Sequence, residues 1–255
     1  MIASDFDRTL VGQDALLHPR TRDALRAASA AGLRVVVVTG RMFRSVRPYL
    51  LEAELHDPVI CYQGAVVADP VSGDWLRHEP IPLELAKEAI AAVEQAGYPL
   101  NCYVDDELYV AEETEWSRRY AEFQNLPVTA VGELLQWIEK PPTKLVAVEA
   151  PEVLDRFEVE MKAHFGDRLY ISKSLPYFLE FASPLVTKAS GLEFLAEHLG
   201  FTVAERERVR RRGERRRARR VGRLRRRGRE RAPARARGRR LGLPAGRRGR
   251  CGAGD

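Results

Sequence analysis

The sequence predicts an α/β protein: a Rossmann-like, doubly wound parallel-sheet core interrupted by an inserted α+β cap. Three observations carry this. Apolar strand segments alternate with amphipathic helical ones through residue 65; hairpin patterns mixed with helices take over from about residue 81; and a lysine followed by a helical segment returns after residue 183. The expected domains are therefore residues 1–80 plus 184–205 for the core, 81–183 for the cap, and 206–255 for a separate basic segment.

Taken in order, residues 2–4 begin a short buried strand and residues 21–31 an amphipathic helix closed by Gly32. Residues 33–39 read Leu-Arg-Val-Val-Val-Val-Thr, apolar almost throughout, as a strand covered on both faces should be. A helix over residues 43–55 and a strand over residues 59–62 follow, the latter running into Gln63-Gly64-Ala65. In the cap, residues 83–96 are helical and stop at Gly97, and residues 100–104 and 108–111 form a hairpin across Asp105-Asp106. Residues 114–123 are helical, 144–149 a strand, 153–165 a helix, and 169–172 pair with 178–181. Lys188 then precedes a helix over residues 190–199, with Gly200 after it.

Composition sets limits. The 255 residues suffice for one large or two modest domains, no stretch reaches the ~20 apolar residues of a membrane span, and no signal-peptide pattern opens the chain. A cytoplasmic location is the expectation. Cys61, Cys102 and Cys251 are scattered and lack metal-knuckle spacing, which suggests reduced structural thiols. His78, His164 and His198 show no ligand spacing either and read as structural.

The chemistry lies where strands end. Asp5 and Asp7 are one residue apart at the end of the first strand, so their side chains point the same way. Asp5 fits a nucleophile and Asp7 a general acid/base that protonates the leaving oxygen and then activates water. Mg²⁺ beside both carboxylates would shield an anionic phosphate from the attacking one. Thr39 offers a hydroxyl and an N–H to a phosphate oxygen, and Gly40 allows close backbone approach at a helix start. For Arg41 and Arg44, at a helix start that disfavours arginine unless an anion is near, phosphate or substrate contact competes evenly with surface solvation, and Lys188 supplies a point charge for phosphate. Together these groups are what phosphoryl transfer through an aspartyl-phosphate needs. A solvated strand-end turn is the competing reading of Asp5 and Asp7, and a capping threonine that of Thr39.

These segments resemble the haloacid dehalogenase superfamily, in its Cof-type, sugar-phosphatase-like branch with a large cap. D-F-D-R-T-L at residues 5–10, V-V-T-G-R at 37–41 and L-V-T-K-A-S-G-L-E-F-L-A-E-H-L-G at 185–200 carry the likeness, over residues 1–204. The resemblance implies a Mg²⁺-dependent phosphatase of a small phosphorylated metabolite, with the cap setting specificity. Tyr103, Trp116 and Tyr177 in that cap read equally as pocket liners and as packing residues. Arg8 stands where the family usually has glycine, and Gln63 where it usually has asparagine. The family's G-D-x-x-N-D loop, whose aspartates complete the metal site and which is expected within a dozen residues of Gly200, is absent, which implies weakened Mg²⁺ binding and impaired activity in the chain as it stands.

In its place runs an arginine segment. Residues 206–255 hold 23 arginines, no lysine and four acids, a charge of +19, so residues 1–205 carry −13 of the net +6. Such a composition cannot build a core and would bind nucleic acid nonspecifically, which makes a nucleic-acid-binding arm the alternative function. A reading-frame shift near residues 205–208 is the favoured account. Val209 to Arg216, back-translated as GTT CGG CGA CGG GGA GAA CGA CGT and read one nucleotide on, gives F-G-D-G-E-N-D. Part of that match is automatic, since consecutive CGN codons always yield Gly, Asp, Ala or Val in that frame.

Overall fold

The computed structural model describes residues 1–200 apart from 13, 116, 119–121 and 123–125. Cys251, Trp116 and the basic segment lie outside the described residues, as does part of the helix expected over residues 114–123.

A first sheet has the order β1-β2-β3-β4-β5. Its strands are β1 (Ile2–Asp5), β2 (Val35–Val38), β3 (Val59–Cys61), β4 (Val66–Ala68) and β5 (Trp75–His78). β1, β2 and β3 run parallel, whereas β4 and β5 add on antiparallel. Helices α1 (Pro19–Ala30) and α2 (Phe43–Glu52) are the crossovers between the parallel strands.

The valines of β2 explain the architecture. Val35 and Val37 belong to a core with Phe43, Val46 and Leu50 of α2, while Val36 and Val38 join Ile60, Val67 and Leu195 on the opposite face. Leu195 is carried by the last described helix. All four valines are at most 5% exposed, so continuous apolarity does encode a strand covered twice. Each buried valine is worth roughly 1.5–3 kcal/mol by area.

A second sheet has the order β10-β11-β9-β6-β7-β8. It contains β6 (Leu100–Val104), β7 (Glu107–Val110), β8 (Thr129–Ala130), β9 (Lys144–Val148), β10 (Tyr170–Leu175) and β11 (Phe178–Ala182). Helices α3 (Leu83–Gln95), the one-turn α4 (Leu134–Trp137) and α5 (Pro151–Phe165) pack on one face of it. The burial register separates the faces: Leu100, Cys102, Leu145, Ala147, Leu179 and Phe181 join those helices, whereas Tyr103, Leu108, Val146 and Val148 join the core of the first sheet. The chain then leaves β11 for α6 (Lys188–His198).

Three expectations needed correction. The first strand is not buried: β1 lies at the edge of the sheet formed by the described residues and Ile2 is 45% exposed. The first sheet is extended by the β4–β5 hairpin, which the sequence reading assigned to no element. Helix starts also shifted, α1 and α5 beginning at Pro19 and Pro151, because proline at the first helical position costs no hydrogen bond. His78 hydrogen-bonds Thr143 Oγ1 at 2.9 Å and His164 bonds Glu88 at 2.8 Å, in keeping with structural roles. Cys61 and Cys102 are free and buried, and burial pushes both thiols up, Cys102 to about 12.

Candidate active site

The site residues gather at the carboxyl ends of β1, β2 and β3. Asp5 pairs in register with Val38, so Thr39 emerges directly beside the end of β1. Thr39 N–H donates to Ile60 O at 2.8 Å, so the N–H expected to serve a phosphate oxygen is committed to β3 and only the Thr39 hydroxyl is left for that role. The turns after β2 and β3 are bonded to each other: Gln63 N–H donates to Thr39 O and Tyr62 N–H to Arg41 O, both at 3.0 Å. These backbone bonds bind the two turns into one unit.

Lys188 reaches this point from 183 residues further along the chain than Asp5. Thr187 and Ser190 form a reciprocal capping box at the start of α6, with Ser190 N–H donating to Thr187 Oγ1 at 2.9 Å. Gly64, at φ +114°, lets the β3 turn lie against that helix start: a Cβ there would sit 2.1 Å from Thr187 O. Lys188 Nζ thereby comes within 2.7 Å of Asp5 Oδ1.

Asp7 is held separately. Arg41 Nη2 donates to its Oδ1 at 2.7 Å and Arg41 Nε to Oδ1 and Oδ2 at 3.0 and 3.2 Å. The Arg41 guanidinium also lies 5.2 Å over the Phe6 ring, and Arg41 is only 6% exposed while the Asp7 side chain is 44% exposed. A planar fork is thus fixed against an accessible carboxylate. Thr39 is buried, its Oγ1 accepting Arg41 N–H at 3.1 Å. At Gly40 a Cβ would come within 2.7 Å of Gln63 Nε2, so this position has no room for a side chain unless Gln63 moves. Arg44 likewise pairs with a carboxylate of the chain, Glu107 of β7.

The two departures from the family pattern fall at positions with the same backbone geometry. Arg8 has φ +59° and Gln63 φ +59°, the left-handed region that glycine and asparagine enter most easily. Replacing Arg8 by glycine is expected to raise stability by about 1 kcal/mol, read from the urea midpoint, since the strain of the left-handed backbone would be relieved.

Asp5 and Asp7 fit Mg²⁺ in kind, being hard oxygen donors, and Mg²⁺ is usually held by one or two carboxylates with waters and phosphate oxygens completing its shell. Among the described residues no third His, Cys, Asp or Glu joins them in a metal-holding group.

Sequence reasoning missed Asp106, which it had placed only in a hairpin turn. Its carboxylate accepts Phe43 N–H at 3.0 Å, Arg44 N–H at 2.7 Å and Tyr62 O–H at 2.8 Å. Burial nevertheless raises its pKa from 3.8 to about 6, outweighing those bonds and the nearby Arg44. Between about pH 4 and 6 the folded chain then keeps a proton that the unfolded chain has released. The stabilisation from this group is full below about 4 and lost as pH rises through about 6. The stability of the chain relative to Asp106→Asn is therefore expected to fall by about 1 kcal/mol between pH 5 and 7, measured by urea unfolding at both values.

The fold and site match one family. Residues 2–206 fit the family model of haloacid dehalogenase-like hydrolases, and the chain belongs to that family. It is a haloacid dehalogenase-like hydrolase with a Rossmann-like core and a cap. A Streptococcus pyogenes protein bearing a provisional phosphatase name is 25% identical, the match covering 80% of this chain and 78% of the relative. The pyridoxal phosphate phosphatase of Escherichia coli is 27% identical over 53% of each chain. A solved haloacid dehalogenase-like hydrolase from Bacteroides thetaiotaomicron superposes with a TM-score of 0.74 at 22% identity, covering 80% of this chain and 78% of that one. The family match stops where the arginine segment begins. Among the described residues no helix is long and apolar enough to cross a membrane.

Proposed function

We propose that the chain hydrolyses a small phosphorylated metabolite through an aspartyl-phosphate on Asp5, in the cytoplasm. The observation that carries this is the pairing of Asp5 with Lys188 at the ends of the parallel strands, beside the bonded turns holding Thr39, Gly40 and Arg41. Lys188 holds Asp5 in place before substrate arrives and turns to the phosphate oxygens once they are bound. Asp5 attacks phosphorus, the ester oxygen leaves with a proton from Asp7, and Asp7 then draws a proton from the water that cleaves the phosphoaspartate. Arg41 keeps Asp7 oriented between these two duties. Thr39 and Gly40 present hydrogen-bond donors to the transferred group. Mg²⁺, held by Asp5 and Asp7, would neutralise charge on the phosphate. The cap, residues 81–183, would select the substrate; the pyridoxal phosphate phosphatase among the relatives makes phosphorylated cofactors the first compounds to try, beside the sugar phosphates that the family resemblance implies.

Phosphate release from a panel of such monoesters, with Mg²⁺ and with EDTA, tests the reading. Turnover of at least one compound, abolished by EDTA, is expected; turnover unaffected by EDTA would overturn the metal assignment.

A further inference from the structure

The start of α2 has no cap of its own. Met42 occupies the N-cap position and provides no side-chain hydrogen bond, although the N–H groups of the first turn need acceptors. The acceptor comes instead from the second sheet, through Asp106 in the turn between β6 and β7. Asp105 and Asp106 both have positive φ, +50° and +61°, the geometry of a two-residue hairpin turn in which aspartate is well tolerated.

We propose that Asp106 is a positioning residue that fastens the cap to the phosphate-binding turns, a role that rests on the phosphatase reading above. Its three donors come from the segment following Thr39-Gly40-Arg41 and from Tyr62, which precedes Gln63. Those two segments are the ones already bonded to each other at Arg41 and Thr39. One carboxylate on the cap therefore touches both turns of the site at once, and docking of the cap sets their geometry.

The contact is local. Arg44 pairs with Glu107 beside it, and the Tyr62 and Tyr103 rings meet edge to face at 6.0 Å. An open groove of about 490 Å³ flanks the turn, with Arg47, Asp74 and Trp75 on its far wall. The charged and titratable groups facing Asp106 are Arg44 and Arg47 from α2, Cys61 and Tyr62 from the end of β3, and Glu107 and Asp105 on its own hairpin. Asp74 faces it from the loop before β5, and Lys140 is engaged by Asp105. Three hydrogen-bond donors thus converge on one carboxylate with a cationic neighbour, a set that an alanine cannot serve.

The test compares the full chain with Asp106→Ala and Asp106→Asn, in kinetics on p-nitrophenyl phosphate across pH 5 to 8 and in hydrogen exchange at Phe43 and Arg44. Asp106→Ala is expected to lower protection at those two amides about tenfold and to raise KM about tenfold, with kcat changed less than threefold. Asp106→Asn, which keeps an acceptor oxygen, recovers part of the loss and removes any step in kcat/KM arising from Asp106. If Asp106→Ala does not fold, Tyr62→Phe is read instead, with a twofold to fourfold rise in KM expected from the loss of one donor. Unchanged KM and unchanged protection in a folded variant would overturn the proposal, as would equal losses of protection throughout the chain. Loss of protection at Phe43 and Arg44 in a chain that cleaves no phosphomonoester would uphold the clasp and refute the phosphatase reading.

Discussion

Replacing Asp5 by asparagine is expected to lower phosphate release at least about 1,000-fold while leaving the fold intact. The amide retains an oxygen that can accept from Lys188 Nζ, so the 2.7 Å contact has a surviving acceptor, but it has no anionic oxygen to attack phosphorus. Stability should change by less than about 1 kcal/mol, because the Asp5 and Lys188 side chains are 51% and 41% exposed and exposed ion pairs contribute little. Activity and urea midpoint measured on one preparation separate the two effects. Mg²⁺-dependent turnover persisting in Asp5→Asn would sink the nucleophile assignment.

Gly64→Ala is expected to have the largest effect on stability, about 3 kcal/mol or more. The residue has φ +114°, and its Cβ would lie 2.1 Å from Thr187 O and 2.7 Å from Thr187 C. Both are backbone atoms at the start of α6, so no side chain can swing away. The turn or the helix start has to move, and Lys188 moves with it away from Asp5. Gly132→Ala is the control: its φ is +78° but nothing lies within 4 Å of the added Cβ, so about 1 kcal/mol is expected. Denaturant midpoints of the two variants check the difference, and equal midpoints would show that the close approach at Gly64 carries no weight.

How much of this was legible in the sequence depended on whether the signal was local. The four valines of β2 announced a strand covered on both faces, and it is one. Burial was expected of residues 2–4 as well, yet the outer edge of β1 is uncovered among the described residues, and burial of an edge strand depends on neighbours that its own residues do not name. The β4–β5 hairpin escaped because Val66–Ala68 is too short to show alternation. Asp69 in its connection, whose Oδ1 accepts N–H bonds from Val71 and Ser72, was a readable turn signal beside Pro70 and Gly73.

The site was legible through the family motifs. Lys188 and Asp5 are 183 residues apart, and no periodicity links them. Asp106 was illegible for the same reason: it caps a helix that begins 63 residues earlier, and helix-capping rules look only at adjoining residues. The reading-frame account of residues 206–255 stands as a proposal, tested by resequencing the gene across the codons for Gly200 to Arg220.

The central claim is that Asp5 carries the phosphoryl group. Acid-quenching the full chain during turnover of a ³²P-labelled phosphomonoester tests it most directly. Label bound covalently to the protein, released by hydroxylamine and absent from Asp5→Asn, is the result this account requires. Turnover with no protein-bound label, or label that survives in Asp5→Asn, would contradict it.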